Sequence, residues 1–324
     1  MSRPKILITR KWPEAVEQAL AARFDVTFND SDQPMDAAAL CDAMQTHDAV
    51  LPTVTDPLGA EVFAGLDAPR CKLLANYGVG VSHIDLAAAQ AAGMTVTNTP
   101  DVLSDCTADI AMTLLLTVAR RAGEGEREVR AGAWTGWRPT HLVGRKVSGM
   151  TLGIVGFGRI GREMARRAHH GFGMKILVQN RSAVPQDVLD EFGAEQVADL
   201  AALLPRVDAL SLHCPGGAEN RHLIGATALE AMQPGAFVIN TARGEVVDET
   251  ALVASIKAGH LGGAGLDVFE GEPNLNPVLL DCPNLVLLPH LGSATTETRE
   301  AMGHCAMDNV LAYFDGTTPP NAVR

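Results

Sequence analysis

Aromatic side chains are scarce in this sequence: 9 Phe, 3 Trp and 2 Tyr amount to 4% of its 324 residues. Basic residues are outnumbered as well, since 26 Lys and Arg face 38 Asp and Glu, and the formal net charge at pH 7 is −12. A chain of this sign repels phosphate backbones and anionic membrane surfaces. We therefore expect neither nucleic acid nor a membrane among its partners.

Closely spaced cysteines and long apolar runs are missing too. The six cysteines form no Cys-x-x-Cys pair, which predicts reduced thiols and a cytoplasmic location. The apolar stretch Ile110–Ala119 is far shorter than the roughly 20 residues that span a bilayer, and Ile6–Ile8 is too short for the core of a signal peptide. With 47% hydrophobic and 20% charged residues, the chain is typical of a folded protein with room for two domains.

Short apolar and β-branched runs alternate with helical stretches in the first hundred residues. This alternation predicts an α/β fold with a doubly wound parallel sheet. The candidate strands are Lys5–Ile8, Asp25–Phe28, Ala49–Leu51, Lys72–Ala75 and Met94–Thr97, with helices at Pro13–Arg23 and Ile84–Ala92.

The alternation breaks at Thr99–Asp101, where the long helical stretch Leu103–Ala119 follows without a strand. A second alternating series predicts a second parallel sheet, and a last helix, Thr295–Phe314, could return to the first domain. We therefore predict a domain of residues 1–100 and 293–324 into which a domain of residues 101–292 is inserted. The candidate strands of the second sheet are Thr151–Val155, Lys175–Val178, Ala209–Leu212, Ala236–Asn240, Gly263–Val268 and Leu285–Leu288.

A Gly-x-Gly-x-x-Gly motif follows the first strand of the second series and opens a helix. That context indicates the dinucleotide-binding βαβ unit of a Rossmann domain. Glycine lets the backbone approach a pyrophosphate, whose charge then faces the helix N-terminus. The residues expected to bind the cofactor here are Gly156, Gly158, Arg159, Ile160 and Gly161.

The end of the next strand normally carries an acidic residue that binds the ribose 2′-hydroxyl of NAD. Asn180 occupies this position and is followed by Arg181 and Ser182. Because Arg181 and Ser182 could pair with a 2′-phosphate, the sequence favours NADP(H) over NAD(H). If Arg181 is only a solvated loop cation, NAD(H) is the alternative cofactor.

Charged residues follow three later strands, at the edge where open α/β sheets bind ligands. They lie in the segments Asn240–Gly244, Asp267–Pro273 and Leu288–Gly292. In order and spacing, these segments resemble the D-isomer-specific 2-hydroxyacid dehydrogenase family, most of all its glyoxylate/hydroxypyruvate reductase branch. The resemblance covers most of the chain and implies a Rossmann cofactor domain inserted into a flavodoxin-like substrate domain. It rests on Gly78–Gly80, Val155–Gly161, Asn240–Gly244, Val247–Glu249, Gly265–Pro273 and Pro289–His290, and for the branch also on Thr9–Lys11 and Leu51–Asp56.

The resemblance implies that Arg243, Glu272 and His290 are catalytic, and reduction of a 2-keto acid calls for such a set. An imidazolium suits proton donation to the developing alkoxide. A glutamate on the other ring nitrogen fixes the tautomer, and the arginine fork can bind the substrate carboxylate and stabilise charge on the carbonyl oxygen. Glu270 is the alternative inward-facing glutamate, although the Glu-x-Glu-Pro register matches the family at Glu272.

By the same resemblance, Val79 and Gly80 present backbone N–H groups to the substrate carboxylate; the alternative is a tight strand-to-helix turn. Asp267 is implied to lie beside the nicotinamide carboxamide. Other residues implied to line the cofactor cleft are Thr107, Cys214, Pro215, Thr241, Ala242 and Gly292. His213, Cys214 and His222 lack the spacing of a metal site, so no metal is expected.

Trp134 and Trp137 lie in a Gly-rich stretch, Ala131–Thr140, that does not look like core. In the resembling family this insertion forms a dimer arm, and in the reductase branch an aromatic there can reach the partner subunit's substrate site. We expect a homodimer through the cofactor domain, with Trp137 either in the substrate pocket or at the interface only.

The expected activity is reduction of a small 2-keto acid, glyoxylate or hydroxypyruvate, to a D-2-hydroxy acid. A phosphorylated substrate is disfavoured because no basic cluster beyond Arg243 is evident. Two alternatives stay open. One is a dehydrogenase for another acid, such as 3-phosphoglycerate or hydroxyphenylpyruvate, and the other is a cofactor-sensing protein resembling the dehydrogenase-like corepressors.

Overall fold

The computed structural model describes residues 3–323, which divide into two compact units. The first unit comprises the chain through Leu103 together with the segment from Ala294 onwards, and the second comprises Ser104–Ser293. The predicted domain boundaries follow residues 100 and 292. In the structure the boundaries follow Leu103 and Ser293, three residues and one residue later. The second unit is thus an insertion in the sequence of the first.

The first unit contains a five-stranded sheet in which every neighbouring pair is parallel. The strand order β2-β1-β3-β4-β5 is the flavodoxin-like order. Two predicted strands begin one residue too early, at Lys72 and Met94. The strands are β1 (Lys5–Ile8), β2 (Asp25–Phe28), β3 (Ala49–Leu51), β4 (Leu73–Ala75) and β5 (Thr95–Thr97).

Five helices accompany this sheet. They are α1 (Glu14–Arg23), α2 (Ala37–Thr46), α3 (Ala60–Ala64), α4 (Leu86–Ala91) and, from the end of the chain, α12 (Thr296–Phe314). Helix α12 begins at the N-cap Thr295, whose hydroxyl accepts a hydrogen bond from the Thr298 N–H at 3.2 Å. The Tyr77 hydroxyl, just after β4, donates to the Arg299 carbonyl at 2.5 Å. The last helix therefore returns to the first unit.

The second unit contains a seven-stranded parallel sheet of order β12-β11-β10-β9-β6-β7-β8. Its strands are β6 (Thr151–Val155), β7 (Lys175–Gln179), β8 (Ala194–Gln196), β9 (Ala209–Leu212), β10 (Phe237–Asn240), β11 (Gly263–Leu266) and β12 (Leu285–Leu287). Strand β6 pairs with both β7 and β9, so the direction of winding reverses beside it. Ligands of such sheets bind at the carboxyl ends of the strands next to that reversal.

Two hydrophobic clusters cover the two faces of this sheet. One contains Leu114 and Met164 packed against Ile154 and Ile239, and the other contains Leu252 packed among Leu210, Leu212 and Val238. The helices of the unit are α5 (Ser104–Ala119), α6 (Ala122–Arg130), α7 (Arg159–Arg166), α8 (Gln186–Glu191), α9 (Leu200–Leu203), α10 (Ala226–Ala231) and α11 (Glu249–Lys257). Within residues 3–323, no helix combines the length and the apolar character needed to span a membrane.

Candidate active site

The glycine motif forms a close turn between β6 and α7. Gly156 has φ +90°, and a Cβ there would lie 2.7 Å from the Cys214 backbone nitrogen. A Cβ on Gly161 would collide with the carbonyl oxygen of Gly156, whereas the space around Gly158 is open to 4 Å. Only glycine fits at the two crowded positions, and the open side at Gly158 leaves room for a ligand.

The N-terminus of α7 faces this open side with its N–H groups uncapped by a side chain, because the N-cap residue is Gly158. Such N–H groups and the helix dipole suit a phosphate. Thr241, after β10, carries a buried hydroxyl that finds no hydrogen-bond partner in the described part of the chain. Both features fit the polar groups of a dinucleotide bound at the carboxyl ends of these strands.

The structure gives Asn180 a different task from the acid it replaces. Its Oδ1 accepts a hydrogen bond from the Phe157 N–H at 3.0 Å, and its Nδ2 donates to the Ser182 carbonyl at 2.9 Å. Asn180 therefore braces the glycine turn. Arg181 is 89% exposed and its guanidinium lies 3.7 Å from the Glu219 carboxylate.

Glu272 and His290 form a hydrogen-bonded pair. His290 Nδ1 lies 2.9 Å from Glu272 Oε2, and the Phe269 N–H donates to Glu272 Oε1 at 2.7 Å. Burial alone would raise the pKa of Glu272, but the hydrogen bond and charge of His290 and the Phe269 N–H outweigh it and hold the pKa below its usual value. An ionised Glu272 accepting from Nδ1 leaves Nε2 of His290 as the nitrogen that can face a substrate.

Glu270, the alternative candidate, points elsewhere. Its carboxylate accepts from Arg221 and lies 3.0 Å from His222 Nε2, while its backbone N–H donates to the Glu249 carboxylate at 2.9 Å. The choice of Glu272 as the partner of His290 agrees with this geometry. Glu249 is 4% exposed, and its hold on this loop was not predicted from the sequence.

Arg243 follows β10 and is partly buried. Burial lowers the pKa of its guanidinium, and the charges of Glu245 and Glu272 oppose that effect. Its Nη1 donates to the Ala242 carbonyl at 2.6 Å, and no carboxylate of residues 3–323 lies within 4.0 Å of the group. The guanidinium fork is therefore available to an incoming anion. A Cβ on Gly244 would overlap the Phe269–Glu270 peptide, so the segments that carry Arg243 and Glu272 touch at this glycine.

Asp267 holds the turn that carries His290. Its two carboxylate oxygens accept the N–H groups of Leu291 and Gly292, each at 2.7 Å, and its carbonyl accepts the His290 N–H at 3.0 Å. Burial raises the pKa of Asp267, against the effect of these N–H groups and the His290 charge. Thr107 completes the turn, because its hydroxyl donates to the Gly292 carbonyl at 3.1 Å. His290 itself has φ +56°, a conformation that these bonds maintain.

The remaining predicted residues are placed as follows. Cys214 and Pro215 follow β9 beside Gly156, and Ala242 is buried next to Arg243. Burial lowers the pKa of His213 to about 3, and its Nε2 lies 2.8 Å from the Ser211 hydroxyl. Val79 and Gly80 lie in the loop after β4 of the first unit. Among residues 3–323 no three His, Cys, Asp or Glu side chains form a metal-binding group.

Residues 131–146 contain neither helix nor strand, and we call them the arm. Trp134 is 54% exposed and Trp137 83% exposed. Val143 in the arm and Val129 at the end of α6 are also exposed, and α6 buries no residue. The arm thus exposes two tryptophans and one valine of the second unit, which agrees with the expectation that the stretch is not core.

Comparison with known proteins identifies the family to which the chain is similar. The NAD binding domain of the D-isomer specific 2-hydroxyacid dehydrogenases matches residues 112–292. Glyoxylate reductase of Thermococcus litoralis is 43% identical over 99% of this chain and 97% of its own.

Two solved structures extend the likeness to the whole fold. A Polaromonas protein described as a D-isomer specific 2-hydroxyacid dehydrogenase superposes with a TM-score of 0.92 at 38% identity, covering 99% of this chain and 100% of its own. The NADPH-dependent glyoxylate/hydroxypyruvate reductase of Sinorhizobium meliloti, solved with NADP and malonate, gives 0.86 at 34% identity, covering 99% and 97%. On the combined basis of its sequence, its two parallel sheets and these matches, the chain belongs to the D-isomer specific 2-hydroxyacid dehydrogenase family.

Proposed function

We propose that this protein reduces small 2-keto acids, glyoxylate and hydroxypyruvate, to D-2-hydroxy acids with NADPH. The observation that carries the proposal is the pairing of His290 with an ionised Glu272 in the same unit as a glycine turn fitted to a dinucleotide. In this proposal the first unit binds substrate and the second binds the cofactor.

Each catalytic group has a task that its surroundings favour. A bound reduced nicotinamide supplies the hydride. Glu272 holds the Nδ1 proton of His290, so that Nε2 can give a proton to the substrate's carbonyl oxygen as that oxygen gains charge. Arg243, free of any carboxylate partner in residues 3–323, binds the substrate carboxylate and stabilises the growing charge. In the first unit, Val79 and Gly80 are proposed to offer backbone N–H groups to a substrate carboxylate, as the family resemblance implies.

The preference for NADP(H) rests on the end of β7. Asn180 is neutral and already hydrogen-bonded to the glycine turn, so no carboxylate there repels a 2′-phosphate. Arg181 is exposed and can move from Glu219 to a phosphate, with Ser182 beside it. The reductase of Sinorhizobium meliloti, which its description calls NADPH-dependent, supports this choice.

A homodimer through the arm is part of the proposal. Trp134, Trp137 and Val143 expose apolar area that a partner subunit would cover, and tryptophans are common anchors of interfaces. Trp137 would then lie at the interface, where it can also reach the partner subunit's substrate. All six cysteines are free, which fits the reducing cytoplasm proposed as the location.

The test follows the absorbance of NADPH and NADH, side by side, with glyoxylate, hydroxypyruvate, pyruvate and phenylpyruvate. Faster oxidation of NADPH with the two small acids is expected. Activity with NADH alone would overturn the role of Arg181 and leave the catalytic assignment intact. No turnover with any acid, despite tight cofactor binding, would favour the corepressor-like alternative.

A further inference from the structure

The loop after β4 has every carbonyl oxygen from Gly78 to Gly80 bound by a donor. Asn76 is fully buried, and its Nδ2 donates to the Gly78 carbonyl at 3.0 Å and to the Gly80 carbonyl at 3.1 Å. Asn98, just after β5, donates through Nδ2 to the Val79 carbonyl at 2.8 Å. Two asparagine amides thus reach all three carbonyl groups, and the Thr99 N–H also donates to the Gly78 carbonyl at 3.0 Å.

These bonds also fix the direction of the loop's N–H groups. In a planar trans peptide, the C=O and the N–H of the same unit point in opposite directions. The Gly78 carbonyl shares its peptide unit with the Val79 N–H, and the Val79 carbonyl shares its unit with the Gly80 N–H. Holding each carbonyl therefore turns the N–H of the same peptide unit away from the donor that binds the carbonyl.

The N–H groups of Val79 and Gly80 have no acceptor among residues 3–323, whereas the Gly78 N–H donates to the Asn76 carbonyl at 3.1 Å. Successive backbone N–H groups without an internal acceptor are the donors from which anion-binding concavities are built. A carboxylate has two oxygens and can accept from both. The loop therefore carries two preorganised N–H donors for an anion.

We propose that Asn76 and Asn98 are positioning residues that set the affinity for the substrate carboxylate by aiming the Val79 and Gly80 N–H groups. The inference rests on the proposed function, in which these two N–H groups bind that carboxylate. Neither asparagine needs to touch the substrate, because each acts through the carbonyl of the peptide unit whose N–H it aims, Gly78 for Asn76 and Val79 for Asn98.

The chemistry of asparagine suits this task. An amide nitrogen carries two donors, so Asn76 can serve two carbonyls at once. Asn76 Oδ1 is buried and finds no partner in the described residues, so the hydrogen bonds of its side chain are made by Nδ2 alone. An aspartate at either position would place a negative charge beside the three carbonyls and close to a bound carboxylate.

The experiment compares Asn76→Leu and Asn98→Leu with the wild type. Leucine keeps the branching of the asparagine side chain at Cγ, but it is larger and has no donor. The Val79 carbonyl loses its donor in Asn98→Leu, whereas the Gly78 carbonyl keeps the Thr99 N–H in Asn76→Leu. We expect the KM for glyoxylate and the Kd of oxamate, a carboxylate that is not reduced, to rise roughly tenfold in Asn98→Leu and by a smaller factor in Asn76→Leu. The Kd of NADPH and the kcat at saturating glyoxylate should change far less, since lost substrate affinity appears mainly in KM.

A matched control is Asn29→Leu. Asn29 also donates from Nδ2 to two backbone carbonyls of the first unit, those of Thr9 at 2.8 Å and Gln33 at 2.7 Å, but in a different loop. It should lower the melting temperature without raising the KM for glyoxylate. If Asn76→Leu does not fold, Asn98→Leu gives the test, because its half-buried side chain serves a separate carbonyl.

The outcomes separate the two proposals. An unchanged KM and oxamate Kd in a folded variant would overturn the inference while the wild-type activity stands. A rise of equal size in Asn29→Leu would also overturn it, because the effect would then reflect general destabilisation. A wild type that neither reduces 2-keto acids nor binds oxamate would instead refute the proposed function.

Discussion

Replacing Glu272 by glutamine is the sharpest test of the proposed proton donor. Glutamine keeps the size and shape of the side chain but has one acceptor oxygen in place of two. In the native pair, Oε1 accepts from the Phe269 N–H at 2.7 Å and Oε2 accepts from His290 Nδ1 at 2.9 Å. Whichever way the amide is turned, its NH₂ group meets one of these donors.

The expected cost follows from that conflict. One hydrogen bond to a charged acceptor is lost, which is worth about 1.5–3 kcal/mol. If the transition state loses that amount, kcat falls about 10- to 100-fold. The Kd of NADPH should stay within about twofold, because the side chain contacts His290 and Phe269 rather than the glycine turn.

Glu270→Gln is the matched control, two positions away on the same loop. Its carboxylate pairs with Arg221 and His222, and it should change kcat by no more than about threefold, because partly exposed ion pairs contribute little. The assay is steady-state reduction of glyoxylate with fluorescence titration of NADPH. Equal losses in both variants, or a Glu272→Gln kcat close to the wild-type value, would refute the assignment.

Further predictions concern the neighbouring groups. His290→Ala should lower kcat by about 10²- to 10⁴-fold with an unchanged NADPH Kd, and near wild-type turnover would contradict its role. Gly161→Ala should abolish NADPH binding in calorimetry while circular dichroism stays native, because its Cβ would strike the Gly156 carbonyl. Trp137→Ala should shift a dimer towards monomer in light scattering; a monomeric wild type would remove the dimer proposal. The pKa of Glu272 is lower in the folded state, so its ionised form stabilises the fold. Glu272→Gln should therefore lower the free energy of unfolding most at neutral pH, and the difference from the wild type should shrink as the pH falls through that pKa.

Much of the fold could be predicted from the sequence because parallel strands are buried on both faces. Runs such as Lys5–Ile8 and Thr151–Val155 are apolar almost throughout, and each matches an observed strand. Strand β8, Ala194–Gln196, escaped prediction for the opposite reason: it is a short edge strand in which no residue is buried. Its pattern carries no hydrophobic signal.

The proposed catalytic side chains could be named from the sequence, whereas the hydrogen bonds that hold their loops could not. Arg243, Glu272 and His290 could be proposed from the sequence because they match the family's motifs in segments that follow predicted strands. Asp267 was predicted only as a cofactor residue, and its hold on the Leu291 and Gly292 N–H groups became visible only in three dimensions. Hydrogen bonds between a side chain and the backbone of a distant loop leave no periodic pattern.

An asparagine whose amide holds the backbone of a loop occurs at three strand ends, and electrostatics gives a reason for it. Asn76 follows β4, Asn180 follows β7, and Asn240 ends β10, where its amide accepts from the Ala242 N–H at 3.0 Å and donates to the Arg243 carbonyl at 2.9 Å. Each asparagine holds a loop that the proposed function assigns to an anion: the substrate carboxylate after β4 and β10, and the cofactor phosphates beside β7. A carboxylate at Asn180 or Asn240 could accept from the same N–H groups, but its charge would oppose the ligand's across a short distance, and a carboxylate at Asn76 would lack the donors that the loop carbonyls need. An amide fixes the backbone without that repulsion, which gives a reason for asparagine at these three strand ends, whereas after β11 the carboxylate of Asp267 holds the turn.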